Sequence, residues 1–198
     1  MEFAMDHLSE LRGIIGPPSG PGVSAAGWRR VEHDLGVSLP EEFKVLADWY
    51  SPIRIGRSIL LANPETGVFN FGAHVRQTLD AYRACDFSRE NFPDFPDVIG
   101  FGGPDGLIPL SGTAHGEEIF LYRDPVVGRW QIVVFVGDDL EFHRYDMGFA
   151  EWLHRYLTGE DMAGPNSARA MPNPLPLMDL LVPEGTAPVE RFGPLRPS

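Results

Sequence analysis

Three runs in the second half of the sequence constrain this chain more than any other feature. Residues 117–123 (EEIFLYR), 129–136 (RWQIVVFV) and 140–145 (LEFHRY) are rich in β-branched and aromatic residues. That composition suits strands packing side chains on a pleated surface. The links between them, 124–128 (DPVVG) and 137–139 (GDD), are only five and three residues long and carry the turn formers Asp, Pro and Gly. Links this short join antiparallel neighbours, because a parallel crossover needs about a dozen residues or more. The run therefore predicts an antiparallel meander.

The stretch 24–50 carries a helical signal of equal clarity. Trp28, Val31 and Leu35 recur at i, i+3 and i+7, as do Phe43, Leu46 and Tyr50, so each set lies on one helical face. Ser24 stands at an N-cap position, and Gly36 stands where a left-handed residue closes a helix. Pro40 opens the second helix, with Glu41 and Glu42 near the positive end of its dipole. Three more helices are expected. One spans 2–15 with Phe3, Leu8, Leu11 and Ile15 on one stripe, and one spans 73–85 with Val75, Leu79 and Tyr82. The last is capped by Asp146, carries Phe149, Trp152, Leu153, Tyr156 and Leu157, and is closed by Gly159. A short strand is expected at 58–62 before a turn at 63–67, another at 98–101, and an edge strand at 107–110, where Pro109 lacks a donor. A loop at 111–116 leads into the meander.

Residues 16–22 (GPPSGPG) break regular structure, 86–97 are too rich in Pro and Asp for it, and 160–198 hold eight prolines. The expected organisation is an N-terminal helix and linker over 1–22, an α+β domain over 23–159, and a Pro-rich tail over 160–198. In that tail only 172–182 (PNPLPLMDLLV) is apolar enough to dock on the domain or a partner. Helices, a short strand, a helix, a strand run and a final helix imply α+β architecture: one antiparallel-rich sheet with helices packed on one face.

The residues Glu32, Leu35, Gly36, Leu39, Pro40, Phe43 and Tyr50, followed by a strand meander and then Phe149, Trp152 and Leu153, resemble the SUKH superfamily, the Smi/Knr family. The resemblance covers about residues 7–158. It departs at Ser51-Pro52, where an Asn-Gly is usual, and at Met147-Gly148, where a small hydroxyl residue is common. It implies a protein-interaction module: in bacteria many such domains are immunity proteins that bind and neutralise toxins, commonly nucleases, and others act as scaffolds.

The chemistry-bearing residues offer several readings. The net charge of −12 opposes nucleic-acid binding and favours a basic partner through complementary fields. One cysteine, Cys85, permits no internal disulfide, and cytoplasmic residence follows as the expectation. The glycines at 102–106 match no phosphate-binding spacing and read as a turn. Glu117, Glu118, Asp138, Asp139 and Glu141 form a candidate acidic edge for a protein partner, with Trp49 and Tyr50 as aromatic anchors. A second reading, a small metal-dependent hydrolase, uses His115, Asp138 and His143, with Glu141 on the same strand face as His143; the alternative at these positions is a plain solvent-facing strand surface, with Leu140 and Phe142 buried opposite. A third is a scaffold binding through the domain or the tail. The expectation is a non-enzymatic interaction protein without cofactor or metal.

Overall fold

A computed structural model describes residues 2–85, 87, 100–182 and 185–196, and side chains from residue 6 onward. Among the described residues there are five helices: α1 (Glu2–Ile15), α2 (Ala25–Leu35), α3 (Glu41–Tyr50), α4 (Phe71–Arg83) and α5 (Phe149–Thr158). The strands are β1 (Ile53–Ile55), β2 (Ile59–Leu61), β3 (Ile108–Gly112), β4 (Glu117–Arg123), β5 (Trp130–Val136), β6 (Glu141–Tyr145), β7 (Pro176–Asp179) and β8 (Val189–Phe192). The fold is α+β, as expected. The expectations at 86 and 88–99, and the side chain of Phe3, lie outside the described residues.

The α2–α3 corner forms as its local chemistry dictates. The Ser24 hydroxyl accepts from the Gly27 N–H at 3.1 Å, and Gly36 closes α2 with φ of 69°, a conformation only glycine adopts cheaply. The Glu32 carboxylate then accepts from the Leu39 N–H at 2.9 Å and from Lys44 Nζ at 3.2 Å. One side chain thus fixes the turn and the start of α3. Pro40 sits one residue before the helix with ψ of 137°, as cap rather than first helical residue.

The single sheet is corrected to two. The meander, extended by β3, gives one four-stranded antiparallel sheet in the order β3-β4-β5-β6. The second runs β2-β1-β7-β8 and is also antiparallel. The sheets meet where the Ser111 hydroxyl donates to the Leu60 carbonyl at 2.6 Å. A ladder does not continue across this seam. Pro109 has no donor, and the register shifts between Pro109 and Ser111.

The C-terminal segment is built into the second sheet. β7 pairs with β1, Arg54 opposite Met178, and Leu175, Leu177 and Leu180 are buried. Residues 160–198 are therefore not an extended tail throughout. The expected strand at 58–62 is half of a β1–β2 hairpin whose tight turn holds Gly56 and Arg57 in left-handed conformation.

The main core gathers the expected stripes. Trp28, Phe43, Phe71 and Phe149 meet ring to ring with centroids 5.3–6.2 Å apart, within the favourable range for aromatic pairs. Ile119, Leu121, Ile132 and Val134 enter this core from one face of the meander sheet. The opposite face is also covered: Phe120, Tyr122, Val133 and Phe135 pack with Leu107, Tyr82, Phe87, Phe101 and Phe142. Each fully buried large side chain contributes about 1.5–3 kcal/mol.

Candidate functional site

Among the described residues, a groove of about 960 Å³ opens beside the α2–α3 corner. One wall is the loop from Gly36 to Pro40 with Glu41 and Glu42. The other carries Arg123, Arg129 and Trp130 from the β4–β5 turn, and Asp146, Met147 and Gly148 lead into α5. His7 and Glu151 also line it.

Polar groups knit the arginine wall together. Arg129 grips both Asp146 oxygens at 2.7 and 2.6 Å. The Gln131 amide donates to the same Asp146 at 3.0 Å and accepts from Arg144 Nε at 2.6 Å. Arg144 then reaches Asp124 at 2.7 Å. Asp124 also accepts the Val126 and Val127 N–H groups. These backbone donors, aided by Arg144, hold its carboxyl below the usual carboxylate range. The Arg123 guanidinium lies 6.0 Å from the Trp130 ring centroid, within cation–π reach.

Asp146 is therefore a wall residue and not the cap of α5. Gly148 stands at that N-cap without a side chain to offer, and Glu42 from α3 takes the role: its carboxylate accepts from the Phe149 and Ala150 N–H groups. A Cβ at Gly148 would collide with that carboxylate. Glycine is therefore needed here for close approach. Burial pushes the Glu42 carboxyl up, against the opposing pull of the two N–H groups.

The structure places the expected partner residues unevenly. All five acidic residues come to one end of the meander sheet, because Val136 stands opposite both Glu117 and Glu141 in the register. Glu117 is buried there, bonded to the Thr113 hydroxyl and 3.5 Å from Arg169. Glu118 points to the other face and lies 3.3 Å from His74. Burial pushes its carboxyl up, opposed by His74. Only Asp138, Asp139 and Glu141 face solvent, and among the described residues Asp138 and Asp139 form no ion pair.

Tyr50 is 1% exposed and donates its hydroxyl to the Gly16 carbonyl at 2.8 Å. Burial pushes its pKa up to about 12. Its ring is thus core and not an anchor. Trp49 is half-buried, and its carbonyl accepts the Ser19 and Gly20 N–H groups.

His115, Asp138 and His143 do not converge. His115 is exposed in the β3–β4 loop, and Asp138 is in the β5–β6 turn. His143 lies on the main-core side of β6, 3.3 Å from Glu141 and against Gly164. The expected solvent-facing Glu141/His143 surface is therefore corrected at His143, which the 162–167 segment covers. Leu140, expected to be buried, is exposed with φ of 55°, because the tight turn needs a left-handed residue there. Cys85 is exposed, with its thiol donating to the Ala81 carbonyl.

The sequence reading missed a convergence elsewhere. His7 and Glu10 lie three apart on α1, and Glu151 and His154 lie three apart on α5. Each spacing is readable in the sequence, but the two converge only once the helices are packed. Among the described residues, no helix is long and apolar enough to cross a membrane. No protein-family model matches this chain, and no curated protein matches its sequence.

Proposed function

We propose that this chain is a SUKH-type, non-enzymatic protein-interaction module acting in the cytoplasm. On this reading it is an immunity-type protein that binds and neutralises a basic, nuclease-like toxin by occlusion, without nucleic acid, membrane or cofactor. The observation that carries the reading is the acidic end of the meander sheet. Asp138 and Asp139 stand in solvent with no ion pair among the described residues, beside Glu141, which faces His143, on a chain of net charge −12. Free carboxylates on such a chain steer a basic surface toward it and are desolvated only on contact. The Glu32-fixed corner supports the family reading, since Leu39 and Pro40 line the groove beside it.

The test is capture by the untagged-domain equivalent of an affinity bait: purified full chain, immobilised through its N-terminal amine, against lysate of the cells that encode it, with the neighbouring genes expressed. The reading expects a stoichiometric basic protein, released by salt. A folded bait that retains nothing, or retains only acidic proteins, would overturn it.

A further inference from the structure

His7, Glu10 and His154 offer three ligand atoms that all lie within 4.8 Å of one another. The Glu10 Oε2 atom is 2.9 Å from His7 Nδ1 and 3.4 Å from His154 Nδ1. Ligands on a tetrahedral ion with bonds of about 2.0–2.1 Å stand about 3.3–3.4 Å apart, so these spacings need only small side-chain adjustments. The two imidazole rings have their centroids 5.4 Å apart and are tilted by 36°, which leaves both Nδ1 atoms turned to the same carboxylate oxygen.

A mutual hydrogen-bond cluster alone would use these three groups. The fourth residue argues for more. Glu151 Oε2 lies 3.9 Å from the other nitrogen of His7, Nε2. A ligating histidine characteristically turns its second ring nitrogen to a carboxylate, which fixes the tautomer and raises the basicity of the ligating nitrogen. His7 approaches that arrangement: Nδ1 faces the cluster, and Nε2 has Glu151 at 3.9 Å, about 1 Å beyond hydrogen-bond length, so a small swing of the Glu151 side chain would complete it. Both histidine side chains are largely shielded, at 25% and 20% exposure, and are held by packing between α1 and α5, while Glu10 is half exposed at 49%.

We propose that His7, Glu10 and His154 form a binding site for a divalent transition ion of the zinc type, with Glu151 orienting His7. Two imidazole nitrogens and one carboxylate select such ions over magnesium or calcium, which prefer all-oxygen shells. Three protein ligands leave a fourth position for water or another donor. Because His7 and Glu151 line the groove, the ion would sit beside it and pin α1 to α5. This site is independent of the acidic end, so either can fail without the other.

The experiment uses the untagged full chain and zinc chloride, with cobalt chloride as spectroscopic probe. Calorimetric titration is expected to give one zinc per chain, and cobalt is expected to give the visible d–d bands of a low-coordinate nitrogen/oxygen site. The double substitution His7→Gln/His154→Gln should weaken zinc binding by more than the roughly 10–100-fold that loss of a supporting group costs. Glu151→Gln should weaken it by about 10–100-fold. Stoichiometric binding that the double substitution leaves unchanged would overturn the proposal. So would no zinc uptake and no cobalt bands in the unsubstituted chain, a result that stands whether or not the variants fold.

Discussion

The two ends of the meander sheet carry opposite charge and treat it differently. At the end where β4 closes and β5 opens, Arg123, Arg129 and Arg144 are engaged, and Gln131 and Asp146 link two of them into a chain of bonds with Asp124. At the other end, Asp138 and Asp139 are in solvent and unpaired among the described residues, while Glu117 and Glu118 have been drawn inward to Thr113, Arg169 and His74. The arginine end has met its charges internally and acts as a wall. The acidic end keeps charge available. Net charge alone would not tell these apart, because a paired carboxylate and a free one count the same.

Changes that reverse or remove these arrangements test the contrast. The largest effect is expected from Asp138→Lys/Asp139→Lys/Glu141→Lys. Its association rate with the basic partner should fall by about 10–1,000-fold at low ionic strength, with a weaker salt dependence and an unchanged melting temperature. Stopped-flow measurement across a salt series reads this. An unchanged rate would show that the acidic end plays no steering part.

At the arginine end the change should appear in stability instead. Gln131 is buried and bonded on both sides, so Gln131→Ala should cost about 1–2 kcal/mol in denaturant unfolding. A smaller loss is expected from Glu42→Ala beside the groove. Removing the cap that α3 lends to α5 should cost about 1 kcal/mol, with amide exchange rising first at Phe149 and Ala150.

The smallest effect is a pH dependence at the inward-drawn acid. The Glu118 carboxyl is raised by burial above its ordinary value of 4.5, with His74 facing it as the opposing influence. The folded state therefore holds the proton more tightly than the unfolded chain. Stability from this group is greatest below 4.5 and falls as pH rises through the folded value. Glu118→Gln should raise the melting temperature at neutral pH, with the gain vanishing as pH is lowered past 4.5. A gain that persists at low pH would assign the effect to packing.

What was legible in the sequence follows from how local each interaction is. The α2–α3 corner is written in neighbours: Ser24 caps Gly27, and Gly36 closes on Glu32 and His33. The meander is equally local, since its links admit one pairing. The second sheet is not, because Ile53–Ile55 is three residues long and finds its partner at residues 177–179. A strand that short has no periodicity to detect, and prolines in the partner segment imitate a tail.

The cap of α5 was misread for the same reason. Asp146 is a good cap residue by type, yet Arg129 and Gln131 hold it while Glu42 arrives from α3. Among the site residues, the sequence could place the acids at strand ends. It could not show that Glu117 and Tyr50 turn inward, which packing decides. The His7, Glu10 and His154 cluster needs two helices to be docked before it exists.

The most direct test of the central claim is neutralisation in cells. The captured basic partner is expressed alone, with this chain, and with the Asp138→Lys/Asp139→Lys/Glu141→Lys variant. The account predicts that growth fails with the partner alone, is restored by the chain, and is restored poorly by the variant at matched expression. A partner that is harmless alone, or equal protection by the variant, would contradict it.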